Sequence, residues 1–199
     1  MVVSRETRER LDLFHRLSEK WNRRINLIGP GTRASFWQRH VSDSLQLWTL
    51  DPKPKIWLDL GTGGGFPGMV MAIHFAAMQA GWVHMVESNH KKAAFLQTVL
   101  TATQARGQVH VKRVEALSAD EIACDAVSAR AFAPLGKLLD LSWPWLHGQA
   151  GCTGWFHKGR DYRREIVDAD RRYRFDLIEH ASEIEPDSVI LEISNPERR

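Results

Sequence analysis

Two rhythms of apolar and polar positions run along this chain. From Lys55 onward, short apolar runs take turns with stretches whose apolar residues recur every three or four positions. Strands are predicted at 55–60, 82–87, 108–113, 126–130, 151–157, 175–182 and 188–193. Helices are predicted at 67–79, 90–105, 134–146 and 161–172, with a short helical turn over Ala116–Glu121. Alternation of this kind predicts a parallel sheet with crossover helices on both faces. The last two strands follow each other without a helix, as a hairpin would.

Ahead of this lies a different pattern. Leu11, Phe14, Leu17, Trp21 and Ile25 form one apolar stripe on a helix that Ser4 can cap and that runs to about Trp21. Such a helix is marginal alone and must dock on something. Gly29-Pro30-Gly31 reads as a turn, and a second helical pattern opens near Arg33 with Phe36, Trp37, His40, Val41, Leu45 and Trp48. Asp51-Pro52-Lys53-Pro54 breaks the chain before the first strand. The organisation expected is a basic helical cap, 1–52, followed by an α/β domain, 53–199.

Composition narrows the class. At 199 residues the chain is long enough for a sizeable core. No apolar run approaches the roughly 20 residues of a membrane helix, and the first residues are too polar for a signal peptide. Cys124 and Cys152 have no metal-ligand spacing, so reduced cytoplasmic thiols are expected and no metal or membrane. The net charge of +3 is uneven: residues 1–40 hold nine Lys/Arg against four Asp/Glu, which leaves the remainder at −2. A basic arm on a near-neutral domain suits an anionic polymer, although a solvated helix face explains it as well.

The candidate chemistry centres on Asp59-Leu60-Gly61-Thr62-Gly63-Gly64-Gly65-Phe66-Pro67-Gly68, a strand end, a glycine turn and a helix start. Glycine permits positive φ, and its missing Cβ lets a ligand lie on the backbone. The orphan N–H groups of the next helix point over the same turn. Gly63 to Gly68 matches the dinucleotide fingerprint G-x-G-x-x-G. The longer pattern, an acid followed by three alternating glycines, reads better as a loop for S-adenosylmethionine (SAM). Its ammonium group can meet Asp59, whereas a pyrophosphate would be repelled. A sheet of seven strands ending in a hairpin favours the same Rossmann-like, class I SAM-dependent methyltransferase fold; dinucleotide domains prefer six.

Ligands of doubly wound sheets sit beyond the carboxyl ends of the strands. Glu87 ends the second strand and can accept hydrogen bonds from ribose hydroxyls, or serve only as an acid before the next helix. After the third strand, Val114 and Glu115 can frame an adenine ring. Arg130 ends the fourth strand, where a buried cation needs a partner, whether a SAM carboxylate, a substrate phosphate, Asp59 or Asp43; an exposed structural arginine is the competing view. Arg130→Ala is expected to weaken SAM binding with little loss of fold. Phe132 is a candidate stacking platform or a core residue. Lys158, at the end of the fifth strand, reaches a phosphate or is solvated. His40, Asp43 and Ser44 share one helix face, but a nucleophilic triad draws its members from separate elements. They are expected to tie the cap to the α/β domain.

Asn22-Arg23-Arg24-Ile25-Asn26-Leu27, Arg39-His40-Val41-Ser42-Asp43-Ser44-Leu45, Gly61 to Gly68, Glu87-Ser88, Ala129 to Leu135 and Lys158-Gly159 fall in an order that resembles the glucose-inhibited division protein B family. The likeness spans about residues 15–193. It implies a SAM-dependent methyltransferase acting on N7 of a guanosine in the 530 loop of 16S rRNA. By that resemblance Gly61, Phe66, Val114, Glu115 and Arg130 contact SAM; Gly63, Gly65 and Glu87 join them by their places at strand ends. Arg130 and Phe132 would position the acceptor, with no general base needed. Lys158, Arg160, Arg163 and Arg23 would hold phosphates of the 16S rRNA or small ribosomal subunit, bound by a cytoplasmic monomer. A methyltransferase of a small molecule or protein, and a non-catalytic nucleotide- or RNA-binding module on the same fold, are the competing readings.

Overall fold

The computed structural model describes residues 3–29, 31 and 35–199. Strands β1 (Ile56–Leu60), β2 (Trp82–Val86), β3 (Gly107–His110), β4 (Ala126–Arg130), β5 (Thr153–Lys158), β6 (Tyr173–Ala181) and β7 (Val189–Arg198) form one sheet. Its order is β3-β2-β1-β4-β5-β7-β6. The first five strands are parallel, and β7 runs antiparallel between β5 and β6. The order reverses between β1 and β4, where a doubly wound sheet opens its ligand crevice. This is the seven-stranded sheet with a terminal hairpin that the alternation predicts.

Each face has its own core. Trp57 of β1 packs with α1 (Arg5–Asn22), α2 (Asp43–Leu50), α3 (Gly68–Met78) and α4 (His90–Thr103), through Leu11, Phe14, Leu47, Ile73 and Phe95. Leu58 and Leu60 turn to the other face, against Leu138 and Trp145 of α5 (Leu135–Leu146) and Ala169 of α6 (Tyr162–Asp170). Alternation along one buried strand thus feeds two layers. Ser4 caps α1, its Oγ accepting from the Thr7 N–H at 3.2 Å. Trp57, Trp145 and Trp155 are fully buried.

Several boundaries differ from the prediction. The second helix is a wide-turned π segment over Phe36–Ser42 that tightens into α2 at Asp43. Pro30 and the predicted start at Arg33 lie outside the described residues. β3 stops at His110, and the turn expected at 116–121 is a 3-10 turn at Val114–Ala116. β7 continues through Pro196 to Arg198, well past 193. Its pairing with β5 ends at Ile193, so beyond that point it meets β6 alone and Pro196 loses no ladder bond to β5.

Candidate active site

The turn after β1 is built by hydrogen bonds to its flanks. The Thr62 N–H donates to Val86 O (3.1 Å), and the Thr62 hydroxyl donates to Asp59 O (3.1 Å). Gly61 (φ 66°) and Gly63 (φ 58°) take the left-handed backbone the turn requires. Glu87, the residue after β2, closes it, accepting from the Gly63 N–H at 3.0 Å and from the Asn89 N–H at 2.7 Å. Both oxygens keep lone pairs for a further donor.

Asp59 departs from the expectation that it meets an ammonium group. It is fully buried, accepting from Ser128 Oγ at 2.7 Å and from the Gly68 N–H at 3.1 Å. Burial raises its carboxyl to about 6. A Cβ on Gly68 would lie 2.6 Å from Asp59 Oδ2, so that glycine makes room for the carboxylate. Pro67, joined to Phe66 by a cis peptide, sits just before α3. Gly65 faces away too: a Cβ there would stand 2.8 Å from Phe14, so its bareness admits α1.

The other candidates converge. Gly61, Gly63, Phe66, Glu87, Val114, Glu115, Arg130 and Phe132 line one crevice of about 580 Å³, a volume suited to a nucleoside-sized ligand. Leu27, Ile28 and Gly29 form its other wall. They are held by Asn22, whose Oδ1 accepts from the Leu27 and Ile28 N–H groups at 2.8 and 3.2 Å. That wall is missing from the candidates read in the sequence, although Asn22 and Leu27 stand within a quoted motif; an Asn that folds a loop has no local periodicity to mark it.

A second chamber of about 610 Å³ adjoins the first and shares His40, Arg130, Ala131, Phe132 and Ala133 with it. Arg130 donates to Asp43 Oδ2 (2.9 Å), to Arg39 O (3.1 Å) and to His40 Nδ1. Asp43 is therefore its partner. Burial, and then the Arg130 charge, bring His40 down to about 4, so His40 is neutral and can accept. Its ring stacks on Phe66 with centroids 4.7 Å apart. Buried His157 is neutral for the same reason and donates to Asp43 O at 3.2 Å. Ser44 is fully buried and donates to His40 O at 2.6 Å, an internal helix bond with no nucleophilic geometry. These bonds do tie the N-terminal helices to β4 and β5.

Ala131 has φ 49°, an uncommon conformation for a residue with a Cβ. That kink after β4 lays the Phe132 ring over the glycine turn: a Cβ on Gly61 would be 2.3 Å from the ring. Phe132 itself is 39% exposed, so the core alternative falls away. Lys158 is neither solvated nor free for a phosphate. Its Nζ donates to Ala133 O (2.7 Å) and to Glu165 (2.5 Å), which also accepts from the Leu135 N–H. This network pins the segment carrying Phe132. Arg160 and Arg163 are exposed beside a separate small pocket, and Arg23 is exposed at the end of α1.

Among the described residues no cluster of His, Cys, Asp and Glu could hold a metal ion, and no helix is long and apolar enough to cross a membrane. Solved structures resemble the fold at low identity. The ribosomal protein L11 methylase from Lactobacillus delbrueckii subsp. bulgaricus superposes with a TM-score of 0.55 at 14% identity, covering 78% of this chain and 76% of that one. M. jannaschii TYW2 in complex with AdoMet gives 0.54 at 13%, covering 80% and 76%. Sequence relatives are much nearer. The ribosomal RNA small subunit methyltransferase G of Rhizobium leguminosarum bv. trifolii (strain WSM2304) is 57% identical over 196 residues, 98% of this chain and 96% of its own. That of Rhizobium meliloti (strain 1021) is 54% identical over 198 residues, 99% and 93%. The family described as GidB, rRNA small subunit methyltransferase G, matches residues 7–185, and this chain belongs to it.

Proposed function

We propose that this protein transfers the methyl group of SAM to N7 of a guanosine in the 530 loop of 16S rRNA, acting in the cytoplasm. The observation that carries the reading is the pair of chambers meeting at Arg130 and Phe132, one built on a bare glycine turn, the other open beside it. In the first, Glu87 can accept from ribose hydroxyls, Val114 and Glu115 can frame an adenine, and the backbone oxygens of the turn can meet the ammonium group in place of buried Asp59. SAM supplies an electrophilic methyl on sulfonium sulfur.

N7 of guanine carries an in-plane lone pair and no proton, so its attack needs no general base. The residues at the junction suit that demand: His40 is neutral and engaged by Arg130, and Arg130 is engaged by Asp43. Catalysis is then mostly alignment, which is worth up to roughly 7–11 kcal/mol in favourable systems. In paired RNA N7 lies in a deep, narrow groove, so the acceptor must arrive unpaired or extruded and stack on a side chain. Phe132, exposed at the shared wall and pinned by Lys158 and Glu165, is that platform.

The test is transfer of tritiated methyl from SAM to small subunits from a strain lacking this enzyme, followed by nucleoside analysis. Label in 7-methylguanosine is expected. Label in N6-methyladenosine or 5-methylcytidine overturns the N7 assignment, and failure to bind SAM by calorimetry overturns the reading as a whole.

A further inference from the structure

Beyond the two chambers, a groove of about 800 Å³ runs between the end of α1 and the start of α4. Its rim carries Lys20, Arg23, Arg24 and Lys91, and Trp21 and Ile25 contribute apolar surface. The four cations are exposed and make no ion pair among the described residues. Several cations elsewhere on the surface stand beside acids, among them Arg5 by Glu9, Arg8 by Asp12, Lys112 by Glu121 and Arg172 by Asp140. What sets the groove apart is that four cations unpaired among the described residues gather on one rim. Like charges gathered at the end of α1 and the start of α4 repel one another, and among the described residues no acid forms an ion pair with them.

The groove also continues toward the cofactor crevice. Lys92, next to Lys91, lines that crevice, and so does the Leu27–Gly29 wall that follows Ile25. We infer that this groove binds the ribose-phosphate backbone of the substrate RNA next to the nucleotide presented to the second chamber. Cations above an apolar floor suit a chain whose phosphates lie outward and whose sugars and bases offer flat apolar surface. The inference rests on the RNA methyltransferase reading and adds the face on which the RNA lies.

The test compares wild-type protein with the variant Lys20→Ala/Arg23→Ala/Arg24→Ala/Lys91→Ala in binding to undermethylated small subunits across a salt series. The four side chains are exposed, and an unchanged affinity for SAM shows that the fold is intact. At about 0.7–0.9 per phosphate contact, the slope of log K against log salt should become shallower by about 3, with affinity at least about tenfold lower near 0.15 M salt. Arg160→Ala/Arg163→Ala should change the slope less. An unchanged slope and affinity for the fourfold variant would remove the groove from the RNA path while leaving the methyltransferase reading intact. A loss of affinity with an unchanged slope would assign the groove to a ribosomal protein and also overturn the inference. Wild-type protein that binds SAM but not the subunit would remove both.

Discussion

Asp43 Oδ2 lies 2.9 Å from Arg130 Nη1, joining the first turn of α2 to the last residue of β4 across 87 positions of sequence. Both side chains are largely buried, 18% and 12% exposed for Arg130 and Asp43. Arg130 also contacts the His40 and Phe66 rings, so one ion pair fixes the wall shared by both chambers.

Breaking that pair leaves a buried charge without its counterion. Arg130→Ala should therefore destabilise the protein by about 3 kcal/mol as well as weaken SAM binding, where the sequence alone suggested little loss of fold. Arg130→Met/Asp43→Leu should lose less stability than Arg130→Ala, because no charge is left stranded. Urea unfolding followed by tryptophan fluorescence measures both; equal losses would show that the pair does not act as a unit.

Lys158 gives a contrast between support and substrate contact. Lys158→Met strands Glu165 and releases Ala133 O, so a loss of about 2 kcal/mol in stability is expected, with kcat lowered through the loosened Phe132 segment. Lys158→Met/Glu165→Gln should recover part of the stability. A rise in KM for the subunit with unchanged stability would restore the phosphate role read from the sequence.

Gly61→Ala tests the bare turn. Positive φ costs about 1–2 kcal/mol for a residue with a Cβ, and the new methyl must displace the Phe132 ring. SAM affinity should fall about tenfold, about 1.4 kcal/mol. Adding Phe132→Ala should return part of it, because the obstruction at 2.3 Å is then gone. Calorimetric titration with SAM of the single and double variants decides this.

Stability against pH carries the signature of Asp59. Its carboxyl titrates near 6 when folded and near 3.8 otherwise, so the folded state holds more protons between those values. Its contribution is full below about pH 4 and is lost as pH rises through 6, about 3 kcal/mol in all. His40 works in the opposite sense. It is about 4 when folded against 6.5 otherwise, so its contribution is full above about 6.5 and is lost as pH falls through 4. The two offset each other over that window. Asp59→Asn should therefore make stability rise more steeply from pH 4.5 to 6.5 than in the wild type. A parallel pair of curves of urea midpoint against pH would show that Asp59 is not the titrating group.

The strand–helix alternation, the terminal hairpin and the glycine turn were legible because each depends on neighbours a few residues apart. Val114, Glu115 and Glu87 could be placed near one another because a doubly wound sheet brings its strand ends to one edge whatever the side chains do, whereas Phe66 was assigned only by the family resemblance. Partner choice could not be read so. Asp59, Gly65 and Lys158 were each assigned outward to a ligand, and each turns inward: Asp59 to Ser128 and Gly68, Gly65 to Phe14, Lys158 to Glu165 and Ala133. Whether a charge at a strand end meets solvent, ligand or another chain segment depends on what the remote helices bring to it. Local patterning along this chain determined the sheet, the helices and the place of the crevice; only tertiary packing decided which side chains face into it, because burial and pairing act through space between residues that the sequence sets far apart.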